Sequence, residues 1–112
     1  MGKFVVIRAA NGEYFFSLKA DNSQIILTSQ MYPSKSVCFN GIESVKNNCS
    51  DDSRYERKQF VSDKHYFVLK ASDGQILGNS EMYETKAGME NGIESVKKNG
   101  RNTKVVEEEP YF

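Results

Sequence analysis

The chain has 112 residues, of which 38% are apolar and 12% aromatic, with 15 basic and 15 acidic side chains. That is enough apolar surface to build one core, which excludes a disordered chain and a second independent domain. A formal charge of zero supplies no overall field for a polyanion, so nucleic acid and anionic membrane surfaces are disfavoured as partners.

At the N-terminus only Phe4 to Ile7 run together as apolar residues before Arg8 interrupts, too few for a secretory leader. No apolar run approaches a membrane span, and Val6 stands where a myristoylation motif needs Ser or Thr. The expected compartment is the cytoplasm, where Cys38 and Cys49 read as reduced thiols. Phe4 to Ala9 is rich in β-branched and aromatic residues and reads as a strand. Asn11-Gly12 then predicts a two-residue hairpin turn with left-handed φ values. In the next strand Tyr14, Phe16, Leu18 and Ala20 point one way, and Phe15, Ser17 and Lys19 the other. A turn at Asp21-Asn22-Ser23 leads into a third strand, Gln24 to Ser29.

A helix is predicted from Ser34, whose hydroxyl can cap free backbone N–H groups, to about Asn48. Its apolar stripe is Cys38, Ile42 and Val45, and Gly41 falls on the same stripe. A helix-interior glycine costs about 1 kcal/mol relative to alanine, so a glycine on the buried face points to helix backbone touching the sheet. The competing reading ends the helix at Gly41 and begins a strand with Ile-Glu-Ser-Val.

The whole pattern then recurs without gaps at an offset of 51 residues. FFSLKADNSQIILTSQMYPSKSVCFNGIESVKNN, from Phe15, is matched by YFVLKASDGQILGNSEMYETKAGMENGIESVKKN, from Tyr66. The second helix would start at Thr85 and carry Met89, Gly92, Ile93 and Val96 on its stripe. Gly41, Ile42, Val45, Gly92, Ile93 and Val96 are therefore read as a structural signature of the repeat. Arg54 to Val61 and Lys104 to Glu108 can each add a strand, and the former can serve both repeats at once. The predicted architecture is α+β: two tandem β-β-β-α-β repeats, about 3–53 and 54–109, in a single domain spanning 1–112. They would share one antiparallel sheet with both helices packed on one face.

The F-x-L-K-A strands (Phe16 to Ala20, Phe67 to Ala71), the S-x-M-Y turns (Ser29 to Tyr32, Ser80 to Tyr83) and the repeated N-G-I-E-S-V-K resemble the YegP-like family. These are small bacterial domains of unknown function, commonly tandem repeats that make up the whole protein. The resemblance covers Phe4 to Glu108 and implies two units joined in one sheet with their last strands exchanged. At Asn22-Ser23 the first copy departs from the family's usual glycine, which puts the turn type in doubt. No catalytic or ligand residue is implied by it.

Read for chemistry, the sequence offers little. His65, the sole histidine, has no matched Cys, His or carboxylate cluster and reads as structural. Cys38 reads as apolar filler, and Cys49, near a helix end, as exposed and without an adjacent base. Glu43 with Lys46, and Glu94 with Lys97, read as solvated helical pairs. No catalytic residue, metal site or cofactor is assigned. Phe15, Lys19, Tyr66, Val68 and Lys70, on the strand face turned away from the helices, are the candidate binding set. The expected function is a non-enzymatic interaction module whose open face meets a protein partner or another copy of the chain. Weak binding of single-stranded nucleic acid on that face, or an enzyme of unknown class, are the alternatives. The tail ending in Pro110, Tyr111 and Phe112 reads as a frayed, disordered end, with a short docking motif as the alternative.

Overall fold

A computed structural model describes residues 2–101 and 103–108; the reading of the tail at Pro110 to Phe112 lies outside them. Its elements run β1 (Lys3–Arg8), β2 (Tyr14–Lys19), β3 (Ile25–Thr28), α1 (Lys35–Asn48), β4 (Tyr55–Gln59), β5 (His65–Lys70), β6 (Ile76–Asn79), α2 (Lys86–Asn99) and β7 (Lys104–Glu108). A short 3₁₀ turn, Asp52–Arg54, joins α1 to β4. The strands form one sheet in the order β4-β5-β6-β3-β2-β1-β7. Thus β4, which follows the first helix, pairs with β5 of the second repeat, and β7, which follows the second helix, pairs with β1 of the first. This is the expected exchange of last strands. One detail is new: β7 runs parallel to β1, whereas every other neighbouring pair is antiparallel.

Both helices are continuous through their glycines, so the reading that ends them at Gly41 or Gly92 fails. Ser34 Oγ accepts from Val37 N and Thr85 Oγ1 from Gly88 N, the predicted N-caps. Each helix lays its stripe on the same face of the sheet. Cys38, Ile42 and Val45 from α1 and Met89, Ile93 and Val96 from α2 join Phe4, Phe16, Leu18, Leu27, Phe67 and Leu69 in the core. Fully burying a side chain of this size contributes about 1.5–3 kcal/mol, so this layer accounts for the sheet's cohesion.

What the helix glycines meet differs from the expectation. A Cβ built on Gly41 would come within 2.7 Å of Cζ of Tyr32, and one on Gly92 within 2.7 Å of Cζ of Tyr83. The close neighbour is a tyrosine ring from the S-x-M-Y turn, with the strand contributing only Phe16 Cε2, 3.2 Å from the Gly41 position. The repeated turn and the repeated heptapeptide are therefore two halves of one contact. Tyr32 is fixed there by reciprocal backbone hydrogen bonds with Tyr14 (2.9 and 2.7 Å) and by stacking on Phe16. Tyr83 is held the same way by His65 (2.8 and 2.7 Å). The serine of the same turn completes the ladder: Ser29 Oγ accepts from Phe16 N and donates to Gln30 O, as Ser80 Oγ does with Phe67 N and Glu81 O.

The turns also depart from the two-residue hairpin. Ala9 N donates to Glu13 O and Gly12 N to Ala9 O, and only Gly12 has positive φ. This is a three-residue loop closed by a left-handed residue, which right-handed strand twist accommodates as a bulge. In the second repeat Asp63 takes the place of Gly12 at φ 65°, and in the first repeat Ser23 stands at φ 68° where the second has Gly74. The backbone keeps its shape at both sites despite the exchanged residue, which answers the doubt over Asn22-Ser23. At the centre of the sheet, where β3 and β6 meet through Thr28 and Asn79, the repeat breaks. Leu27 aligns with Gly78, and a Cβ on Gly78 would lie 2.8 Å from Thr28 O and 3.0 Å from Leu27 Cγ. One leucine fills the space that two symmetry mates would contest.

Candidate functional site

Among the described residues both helices pack on one face of the sheet; on the other face Val5, Ser17 and Val68 at the centre are buried, and strand register places the side chains in rows. The central row runs Glu56, Val68, Asn79, Thr28, Ser17, Val5, Val106 from β4 to β7. On one side of it, Ile25, Lys19, Lys3 and Lys104 are directly paired across β3, β2, β1 and β7. On the other side of it, Phe15, Ile7 and Glu108 are paired across β2, β1 and β7. Side chains so paired stand about 5 Å apart.

The candidate set is divided by this geometry. Phe15 and Lys19 lie on β2, while Tyr66, Val68 and Lys70 lie on β5, three strand positions away, a gap of about 14 Å. Phe15 and Tyr66 are half-buried, Tyr66 standing edge-on to Phe60 at 6.2 Å, and Val68 is buried among its neighbours. Lys70 is already engaged, its Nζ 2.7 Å from Glu56. Lys19 has no such acid, because the position equivalent to Glu56 in the first repeat is Val5. Lys3 and Lys104 join Lys19 instead, and none of the three makes an ion pair among the described residues. Sequence reading missed Lys3 and Lys104: the signal is their place at the start of two strands, but only the pairing of β1 with both β2 and β7 brings them to Lys19.

Beside this corner the sheet end opens on a cleft of about 360 Å³ lined by Gly2, Asp21, Lys98, Asn99, Arg101 and Thr103 among others. Net neutrality thus conceals a basic end. On the helix face, by contrast, charges are matched. Arg57 makes a two-pronged contact with Glu90 (2.6 and 3.0 Å) and reaches Asp52, which Lys97 also holds at 2.8 Å. Hydrogen bonds from Lys97 and Arg57 lower the Asp52 carboxyl to about 2, and Arg57 likewise draws Glu90 below its ordinary value. The network ties α2 to the segment that joins the repeats.

The predicted inert groups are placed as follows. Glu43 and Lys46 are 3.6 Å apart and Glu94 and Lys97 3.2 Å apart, both helical pairs. Cys38 is buried, and burial pushes its thiol up to about 11. Cys49 corrects the expectation of exposure: it is 0% exposed, packed against Gly100 at the end of α2, with its thiol also raised by burial. The Tyr55 hydroxyl donates to the Cys49 carbonyl at 2.6 Å, which pulls that helix end inside. His65 is half-buried and contributes backbone pairing to Tyr83. Among the described residues no group of three or more His, Cys, Asp or Glu could hold a metal, and no helix is long and apolar enough to cross a membrane.

Comparison with known proteins agrees with this architecture. The family described as "Domain of unknown function (DUF1508)" matches twice, at residues 9–56 and 61–107. The UPF0339 protein in the ptx operon 5′ region of Stutzerimonas stutzeri is 49% identical over 106 residues, covering 95% of this chain and 96% of its own. The UPF0339 protein YegP of Yersinia pestis is 47% identical over 103 residues, covering 92% of each. Two solution NMR structures, of yegP from E. coli and of a UPF0339 protein from Shewanella oneidensis, superpose with a TM-score of 0.90 at 42% identity. Each covers 95% of this chain, over 91% and 90% of their own lengths respectively. The first is titled a protein of unknown function. With two copies of that domain in register and near full-length relatives, this chain belongs to the YegP-like UPF0339 family of bacterial tandem-repeat proteins.

Proposed function

We propose that the protein is a non-enzymatic interaction module of the cytoplasm that takes an acidic protein segment on the basic corner of its open sheet face. The observation that carries this reading is the row Lys19, Lys3, Lys104, set at directly paired positions on adjacent strands. Like charges opposite one another across strands destabilise a sheet, and the equivalent lysine of the second repeat, Lys70, is neutralised by Glu56. An arrangement that costs the free protein stability is relieved by a partner that brings carboxylates. The neighbours favour polypeptide over nucleic acid. Val106 and Ile25, like the buried Val5 beside them, are aliphatic, whereas single-stranded nucleic acid is held by aromatic stacking, and neither Phe15, opposite Ile7, nor Tyr66, opposite Lys58, is directly paired with Lys3, Lys19 or Lys104.

Chemical-shift mapping of labelled protein against polyglutamate and against single-stranded oligonucleotides tests the proposal. Shifts confined to Lys3, Val5, Lys19, Lys104 and Val106 with polyglutamate, abolished in Lys3→Glu/Lys19→Glu, support it. Saturable shifts with oligonucleotide alone would replace it with the nucleic-acid reading. No shift with either at low salt would overturn both.

A further inference from the structure

A sheet with two open edges has to account for both, since each presents unpaired N–H and C=O groups to any passing strand. In this protein the edges are β4 and β7. β4 reads Tyr-Glu-Arg-Lys-Gln, and Arg57 stands at its centre. If two copies of β4 met antiparallel about Arg57, two bulky Arg57 side chains, each fixed by Glu90 and Asp52, would have to pack side by side, and Glu56 and Lys58, which would face one another across the copies, are already paired within one chain. That edge is guarded by charge.

The other edge is built differently. β7 reads Lys-Val-Val-Glu-Glu, with Val106 at its centre, and on the open face it presents Lys104, Val106 and Glu108 in sequence. Turned antiparallel against itself about Val106, this strand is complementary at every open-face position. Lys104 meets Glu108 of the second copy, Val106 meets Val106, and Glu108 meets Lys104. On the helix face Glu107 is already engaged by Lys35 at 2.7 Å, so it does not bring a free charge to Val105 of the second copy. Neither helix packs extensively on β7; the main helix contacts are with β2, β3, β5 and β6. Among the described residues the helix side reaches this edge through the Lys35 side chain on Glu107.

We infer that β7 pairs antiparallel with β7 of a second copy, joining two sheets edge to edge about a twofold axis at Val106. The contact is isologous and closed, because the guarded β4 edges at the two ends do not propagate it. The axis stands normal to the sheet, so both open faces lie on the same side and merge. Each Lys104 gains a carboxylate, while Lys3 and Lys19 stay available. This inference shares Lys104 and Val106 with the acidic-partner reading, whose test then rests on Lys3 and Lys19, but its own test, the oligomeric state, stands or falls without that reading. A five-residue edge buries less than about 1,000 Å², which makes the association weak and transient.

Two measurements on the full chain test it. The first is mild oxidation of Val106→Cys, with Val105→Cys as the register control. Residues directly opposite in an antiparallel pair have Cα atoms about 4.5–5.5 Å apart, within disulfide reach, whereas the Val105 pair would be about 8 Å apart and out of reach. The expected result is a disulfide dimer from Val106→Cys and little from Val105→Cys. Equal yields from both would overturn the register. The second is sedimentation equilibrium up to about 1 mM. Lys104→Glu and Glu108→Lys should each weaken association roughly five- to tenfold, since each change affects both symmetric pairs, and the Lys104→Glu/Glu108→Lys double variant should recover it. A wild type that stays monomeric at that concentration, or a double variant as weak as the singles, would overturn the proposal.

Discussion

Replacing Gly92 with alanine sets two effects of opposite sign against each other. Helix propensity alone favours alanine by about 1 kcal/mol. The added Cβ would sit 2.7 Å from Cζ and 3.2 Å from Cε2 of Tyr83, closer than carbon atoms approach without displacement. The ring must swing off the helix, yet its backbone is pinned by the two hydrogen bonds to His65. Overpacking of this kind typically costs about 1–3 kcal/mol, and the ring loses part of the burial it now has. The net expectation is a destabilisation of about 1–2 kcal/mol, which for a chain of this size lowers Tm by about 4 °C per kcal/mol. Thermal unfolding followed by circular dichroism reads it, with exposed Lys98→Ala as a control expected within about 0.5 kcal/mol of wild type. The decisive arm is the same substitution in a Tyr83→Ala background, where the obstacle is gone and alanine should stabilise by about 1 kcal/mol. A Gly92→Ala that is neutral in the wild type, or equally damaging in both backgrounds, would refute the glycine–tyrosine account.

Three further outcomes follow from the structure. Ser23→Gly should raise stability by about 0.5–1 kcal/mol in urea denaturation, because the left-handed conformation at φ 68° is strained for serine and free for glycine, less the extra freedom glycine gains when unfolded; Gly74→Ser should lower it. Asp52, whose carboxyl is lowered from 3.8 to about 2 in the folded chain, contributes stability that is present above pH 3.8 and is lost as pH falls through about 2. The stability difference between wild type and Asp52→Asn should therefore shrink between those limits, and a difference that grows on acidification would contradict the Lys97 and Arg57 contacts. Both thiols are buried with raised pKa, so at pH 8 a disulfide-exchange reagent should label the native protein at least about 100-fold more slowly than the unfolded chain. Fast native labelling of Cys49 would restore the exposed reading.

Much of the fold was written in local patterns. The period of two in β2 and β5, the 3.6-residue stripes of the helices and the capping Ser34 and Thr85 depend on nearest neighbours along the chain, and the gapless offset of 51 residues confirmed each of them in duplicate. What glycine meets in the helices was not local. Gly41 and Gly92 signal a close approach, but which group approaches depends on the chain's return from the S-x-M-Y turn over the sheet, and a tyrosine ring satisfies the sequence as well as a strand does. The burial of Cys49 escaped for the same reason, since its exposure is set by Tyr55, which reaches back to its carbonyl, and by Gly100, which comes from the second repeat.

Composition counted the charges, but only tertiary pairing sorted them. A total of zero carries no information on position, and Lys3, Lys19 and Lys104 come from three separated segments that become neighbours because β1 sits between β2 and the parallel strand β7. The sequence by itself determined the elements, their duplication and the buried stripes, since these rest on short-range periodicity and backbone propensity. Tertiary structure alone decided which end of the sheet is basic and which edge is guarded, because strand register and the exchange of final strands are long-range choices that no single segment encodes.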